Sequence, residues 1–334
     1  MTSRRKFIEL TGAALAAAAL PRSASAQQYP KRPIRAIIPF SAGSTIDIIG
    51  RIVAEPLAAA LGQPIVIDNR GGAGGSIGTA VVAKAEPDGH TILIHASAHS
   101  AAPAVYPNAP YNAARDLSAV ANFGVVPNVV VVAPSKGYKS LRQLVDAAKK
   151  GSMTFASAGV GSATHWAAER LRLSAGFTAV HVPFKGGPEA LADVLTGRVD
   201  FMCIGISSAF GLLRQGQLLP LAVCTRKRSA ALPEVPTTIE AGYANSDYTY
   251  WNGMLVPAGT PRPIVNRLHA EVQTLLRLPA VVDKFKVQGI EPMPLTPRDF
   301  DALIAKEIET NKALVKAAGL KFTQIDRGSR RPPV

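Results

Sequence analysis

Strand-length apolar runs alternate with helix-period segments along most of this chain, and short turns separate them. The spacing predicts strands at residues 34–39, 64–67, 91–96, 125–133, 154–157, 179–183, 201–204 and 219–225. Helices are predicted at 44–61, 76–85, 141–149, 164–175, 188–196 and 207–215, and then at 263–276, 279–287 and 298–318. In the first helix Ile46, Ile49, Ile52, Val53, Leu57 and Leu61 recur at helical spacing. Strands joined through helices form parallel sheets covered on both faces, so the fold class is α/β. The apolar strand at 125–133 and the segment at 248–257 read as chain passages between two lobes. No internal repeat is present at a solenoid period.

Parallel sheets place ligands at strand ends, where helices begin. Three loops there suit an anion, because the first N–H groups of a helix have no intrahelical acceptor and its dipole favours negative charge. The first runs from Pro39 through Phe40, Ser41, Ala42, Gly43 and Ser44 to Asp47. Ser44 and Asp47 fit a Ser-x-x-Asp capping box, a structural role that suits Asp47 better than facing an anion. The second runs from Ser157 through Gly159, Gly161, Ser162 and Thr164 to His165; the third is Phe184-Lys185-Gly186-Gly187-Pro188.

Strings that suggest enzymes fail on context. Gly74-Gly75-Ser76-Ile77-Gly78 matches a nucleophile elbow, but Asn69-Arg70-Gly71-Gly72-Ala73 intervenes between it and the preceding strand. Gly159-Val160-Gly161-Ser162-Ala163-Thr164 lacks the third glycine of a dinucleotide fingerprint. His90, His95 and His99 crowd one region without metalloprotease spacing, and turn or cleft-wall roles suit them better than a metal. Cys203 and Cys224 are too few for a disulfide scaffold; they read as buried thiols, with a bond between them left open. Net charge is +14, but the basic residues are scattered and form no aromatic-interleaved helix, so nucleic acid is an unsuitable partner.

The N-terminus reads as an address. Arg4-Arg5 precede Phe7, an apolar run spans residues 10–20, and Ala24-Ser25-Ala26 supplies small residues for cleavage. A run that short suits a twin-arginine signal and falls below the roughly 20 residues of a membrane span. Cleavage after Ala26 and delivery to the periplasm are expected.

Ordered blocks over nearly the whole mature chain carry a resemblance. They are Tyr29-Pro30-Lys31-Arg32-Pro33-Ile34-Arg35 leading into Pro39 to Gly43, Asp68 to Gly78, and Pro87-Asp88-Gly89-His90-Thr91. Then come His181 to Gly187, Leu232 to Thr237, Trp251-Asn252-Gly253 and Pro257 to Pro261. In this order they resemble the substrate-binding proteins of tripartite tricarboxylate transporters, the Bug receptor family. The resemblance implies a two-lobed periplasmic binding protein of type II-like fold that closes over one small carboxylate, without enzymatic activity or cofactor. It implies one lobe from residues 27–126 and 250–326, a second from 127–249, a signal at 1–26 and a tail at 327–334. The ligand-binding residues it implies are Phe40, Ser41, Ala42, Gly43, Ser44 and Asp47, then Ser97 and Ala98, with Gly161, Ser162, Thr164, His165, Lys185 and Gly186 opposite. Implied partners are one large and one small membrane subunit of the transporter, with the receptor itself a monomer. A sensor protein in a signalling role is the alternative, an α/β hydrolase the remoter one. Ser44 departs from the family's usual second glycine and His90 from a common tyrosine, and Cys203-Ile204-Gly205-Ile206 lacks a polar residue often found nearby.

Overall fold

Helices follow strands almost without exception through the first two-thirds of the computed structural model, which describes residues 29–317. The elements begin β1 (Ile34–Ile38), α1 (Thr45–Leu61), β2 (Ile65–Asn69), α2 (Ser76–Ala83), β3 (Thr91–Ala96), α3 (Ala98–Val105) and β4 (Leu117–Val132). They continue as α4 (Leu141–Lys150), β5 (Thr154–Ser157), α5 (Ala163–Ala175), β6 (Val180–Pro183), α6 (Gly187–Leu195), β7 (Phe201–Gly205), α7 (Ile206–Arg214) and β8 (Leu219–Val223). Last come β9 (Thr249–Pro257), α8 (Arg262–Leu275), α9 (Pro279–Val287) and α10 (Pro297–Ala317). The predicted signal and its cleavage site, and the predicted tail, lie outside the described residues.

The strands run β2-β1-β3-β9-β4-β7-β5-β6 across the sheet, with β8 also on β4. Pairing is parallel for β1 with β2 and β3, and for β5 with β6 and β7, as strand–helix alternation dictates. The joining strands are different. β9 pairs antiparallel with β3 and β4, and β4 pairs antiparallel with β7 and β8, so the sheet is mixed. The 16-residue β4 carries this arrangement. Its residues 117–127 lie against β9, and 128–132 lie between β7 and β8. Periodicity predicts only its valine-rich second half, because Asn122 and Gly124 interrupt the first; the β4–β9 register slips beside Gly124.

Separate apolar clusters back each end of this strand. Ile38, Ile49, Leu57, Ile94, Phe123 and Met254 pack with α8 and α9, while Trp251 meets Phe300 of α10 edge-on at 4.8 Å. Farther along, Val130, Phe155, Leu171, Phe201 and Cys203 fill one face and Val129, Met202, Ile204 and Val223 the other. α3 is an element that periodicity did not predict. It is short, half alanine, and contains Pro103, so it lacks a helical stripe. Both cysteines are buried and free, which settles the open pairing question for this structure.

Candidate functional site

Four helices begin at one small cavity. Its wall includes Thr45, Ala98, Ala163 and Gly187, the first residues of α1, α3, α5 and α6. Each helix leaves the end of a strand in the sheet, and the other lining residues are Phe40, Ser44, Ile46, Ala96, Ala158, Ser162, Thr164, Ile204 and Tyr250. The cavity holds about 40 Å³. None of these side chains is charged at neutral pH, and burial pushes the Tyr250 hydroxyl well above its ordinary value, so it remains a neutral donor. The positive potential therefore comes from helix ends, each equivalent to about half an elementary charge.

The loop before α1 is fastened away from the cavity. Asp47 accepts from Gly43 N and from Arg51 Nε, both at 2.9 Å, and its other oxygen accepts from Asn69 Nδ2 at 2.9 Å. Burial pushes this carboxyl up, but the hydrogen bonds from Arg51, Gly43 and Asn69 outweigh it and hold it below the ordinary range. The predicted Ser-x-x-Asp capping box does not form, because Ser44 N donates to Ser41 O and the Ser44 hydroxyl makes no capping bond. Asp47 reaches one residue past the N-cap, to Gly43, whose φ of 78° turns its N–H back toward α1. Ser44, the N-cap, makes no side-chain capping bond, and its buried Oγ has no protein partner.

On the opposite side, Ser162 caps α5 by accepting from His165 N at 3.3 Å. Thr164 Oγ1 accepts from Ala158 N at 2.9 Å and lies 2.9 Å from Ser162 Oγ. Gly161 N donates to His165 Nδ1 at 3.1 Å, and the His165 ring stacks on His181 at 4.1 Å. Burial lowers both imidazoles, His181 to about 4, so both are neutral at pH 7. A neutral His165 can accept from Gly161, whereas an imidazolium could not.

Several contacts clasp the two sides. Ser41 Oγ donates to Glu189 Oε1 at 2.5 Å, Tyr106 OH to Val160 O at 2.9 Å, and Thr45 Oγ1 lies 3.0 Å from Ser208 Oγ. Of the residues implied by the motifs, Phe40, Ser44, Ala98, Ser162 and Thr164 line the cavity. Ser41, Ala42, Gly43, Ser97, Gly161 and Gly186 lie in the adjoining loops, Asp47 and His165 lie in the first turns of α1 and α5, and the Lys185 side chain is exposed. Thr45, Ile46, Ala158, Ala163 and Gly187 fall within the three loops read as anion-holding without having been named as ligand-binding residues, and Ala96, Ile204 and Tyr250 were not anticipated. For most of them the available signal was position, at the end of a strand or the first turn of the helix after it.

The enzyme-like strings are used structurally. Ser76 is the first residue of α2, after a glycine-rich 3-10 turn, and Tyr111 OH lies 3.5 Å from its hydroxyl. The three crowded histidines diverge: His90 faces Asp88, His95 accepts from Ala96 N, and His99 bonds Ala113 O. Among the described residues, no group of three His, Cys, Asp or Glu is placed to hold a metal ion.

Comparison with known proteins supplies the context. The model of the tripartite tricarboxylate transporter family receptor matches residues 49–320. Protein BugT of Bordetella pertussis is 34% identical over 95% of this chain and 98% of its own. The periplasmic binding protein BugD superposes with a TM-score of 0.82 at 32% identity, covering 87% of this chain and 99% of that one. R. palustris Rpa4515 with adipate gives 0.84 at 32% identity, over 87% and 98%.

Proposed function

The chain belongs to the tripartite tricarboxylate transporter receptor family, whose members are periplasmic solute-binding proteins, and on that footing we propose that it captures a small organic acid for membrane transport. The observation that carries this reading is the convergence of four helix starts on a cavity without a charged side chain. A carboxylate placed there meets free N–H groups and the unbonded Ser44 hydroxyl, and exchanges its hydration for fixed donors. Such bonds contribute about 1.5–3 kcal/mol each, enough for tight capture and still compatible with release. That the similar Rpa4515 structure holds adipate, a carboxylate, supports the ligand class.

The twin-arginine signal would export the folded chain, with cleavage after Ala26. In the mature protein, residues 27–126 and 250–326 would form one lobe and 127–249 the other, linked by β4 and β9, with the cavity where they meet. The division of β4 between two sets of partners supports this. The protein would act as a monomer that presents its closed form to one large and one small transporter subunit. Mass spectrometry of ligand released from gently purified protein should identify an organic acid. Adding that acid back should raise the melting temperature without being turned over. A released ligand with no anionic group, or measurable turnover, would overturn the reading.

A further inference from the structure

Backbone geometry calls for glycine where φ is positive, and three glycines around the cavity lack that reason. Gly186 is extended, at φ −166° and ψ 176°, and Gly205 has φ −56° and ψ 131°. Gly71 also lies outside the left-handed region. What each lacks is room for a side chain, and the room is taken by the opposite side of the cavity. A methyl group on Gly186 would lie 2.6 Å from Ser41 Oγ and 2.7 Å from Ser41 Cβ. One on Gly71 would lie 3.1 Å from Lys185 O, and one on Gly205 would collide with Thr45 Oγ1 and Tyr250 OH. Ser41, Thr45, Gly71 and Tyr250 belong to the side built on β1, β2 and β9, whereas Lys185, Gly186 and Gly205 follow or end β6 and β7. Gly74 faces Val160 O in the same way, but its φ of 59° already calls for glycine, so it adds less. Gly151 is the contrast: it is extended, and a methyl group there would meet nothing within 4 Å.

The clasping hydrogen bonds set a weaker limit on how the sides meet. Ser41 with Glu189, and Thr45 with Ser208, join through hydroxyls that reorient when the partners shift by a few tenths of an ångström. Overlap of heavy atoms gives no such latitude, because packed interiors respond to one added methyl group. At Gly186 the flexible tip of Glu189 can swing aside on its own side, but Ser41 Cβ is fixed by the backbone.

We propose that Gly71, Gly186 and Gly205 are positioning residues for capture: their missing side chains let the two sides meet at backbone level, and this seam sets closure over the cavity. The proposal rests on the reading of the cavity as an organic-acid site between two lobes, and adds what governs their approach. Neither Gly71 nor Gly186 lines the cavity, so a side chain at either acts on binding through closure alone. With the sides apart, alanine suits the extended backbone of Gly186 and reduces the freedom of the unfolded chain, so folding is not penalised.

Small-angle scattering of the mature protein as purified, mass spectrometry of the organic acid it carries, and melting after that acid is removed would test the seam. The parent and Gly151→Ala should scatter as this compact structure. Gly186→Ala should have a larger radius and carry about ten-fold less acid per chain, with Gly71→Ala between them, in the order of the overlaps. The acid-free melting temperatures should not fall. Ser41→Gly, added to Gly186→Ala, removes the obstructing atoms and should restore the compact form, a rescue that a folding defect would not show. Scattering of Gly186→Ala that matches the parent, or a lowered acid-free melting temperature without rescue, would overturn the seam. A parent that carries no organic acid would overturn the organic-acid reading, and the scattering comparison would still decide the seam.

Discussion

Ser44 and Thr164 both carry hydroxyls at the cavity, and the structure gives them opposite costs. Ser44 Oγ is buried and makes no bond, so Ser44→Ala removes nothing that the empty protein uses. Its stability in urea should change by less than about 0.5 kcal/mol, while ligand affinity falls by about 1 kcal/mol, or five-fold. Thr164 Oγ1 receives the Ala158 N–H and meets the Ser162 hydroxyl. Thr164→Ala strands a buried donor and should cost the empty protein about 1–3 kcal/mol, with ligand binding weakened as well. Urea melts and calorimetry on the two variants separate these effects. A Ser44→Ala protein that is destabilised but binds normally would show the hydroxyl to be structural. Asp47 belongs with Thr164. Asp47→Asn leaves Gly43 a weaker acceptor and ends the pairing with Arg51, so it should loosen the loop that carries Ser44.

The contacts that join the two sides of the cavity operate at the scale of elements. Tyr106, just after α3, donates to Val160 O in the turn before α5, and burial raises its hydroxyl to about 12, so it stays a donor at any physiological pH. If these contacts hold the closed form, Tyr106→Phe should speed ligand dissociation by about two- to ten-fold and leave association nearly unchanged. Stopped-flow displacement would show it; an unchanged off-rate would mean that this bond is indifferent to closure. This scale also shows how far the sequence could be read. The loops around Ser44 and Ser162 were legible because a strand, small residues and a capping residue stand in order along the chain. Ile204 and Tyr250 were not, because pairing across β4 and β9 brings them to the cavity from distant positions. The first half of β4 was hidden by Asn122 and Gly124, whose places are set by the partner strands and not by any run of apolar residues. α3 was hidden because its small residues leave no periodic stripe, although Ala98, its first residue, was already among the residues that the resemblance implied at the ligand.

For the molecule as a whole, protonation tests how much of the fold depends on buried neutral imidazoles. Burial lowers His99 and His181 to about 4, and lowers His95 and His165 well below their ordinary value. An unfolded chain takes up these protons near pH 6.5. Between about 6.5 and 4 the unfolded state therefore binds more protons than the folded one, and stability falls as pH falls. The contribution is fully present above about 6.5 and is lost progressively down to the folded values, on the order of 3 kcal/mol for each of His99 and His181. Glu307 and Asp301 oppose the trend, since burial raises both and their protonation favours the folded state as pH drops. Asp47 and Asp200, held low by their hydrogen-bond partners, add to the loss below about pH 4. Four histidines against two raised carboxyls predict a net loss, so urea midpoints should fall from pH 7 to pH 5. The cavity is affected directly: a proton on His165 Nδ1 removes the acceptor for Gly161 N, and the turn leading into α5 loses a tie. Ligand affinity should therefore weaken over the same range, beyond any titration of the ligand itself. His181→Phe keeps a ring against Phe155 and His165 and removes one titrating group, so its acid limb should be shallower than that of the parent. Equal slopes for the two proteins would mean that His181 takes up its proton in the folded state as readily as in the unfolded one, and that the stacked imidazoles do not set the acid stability.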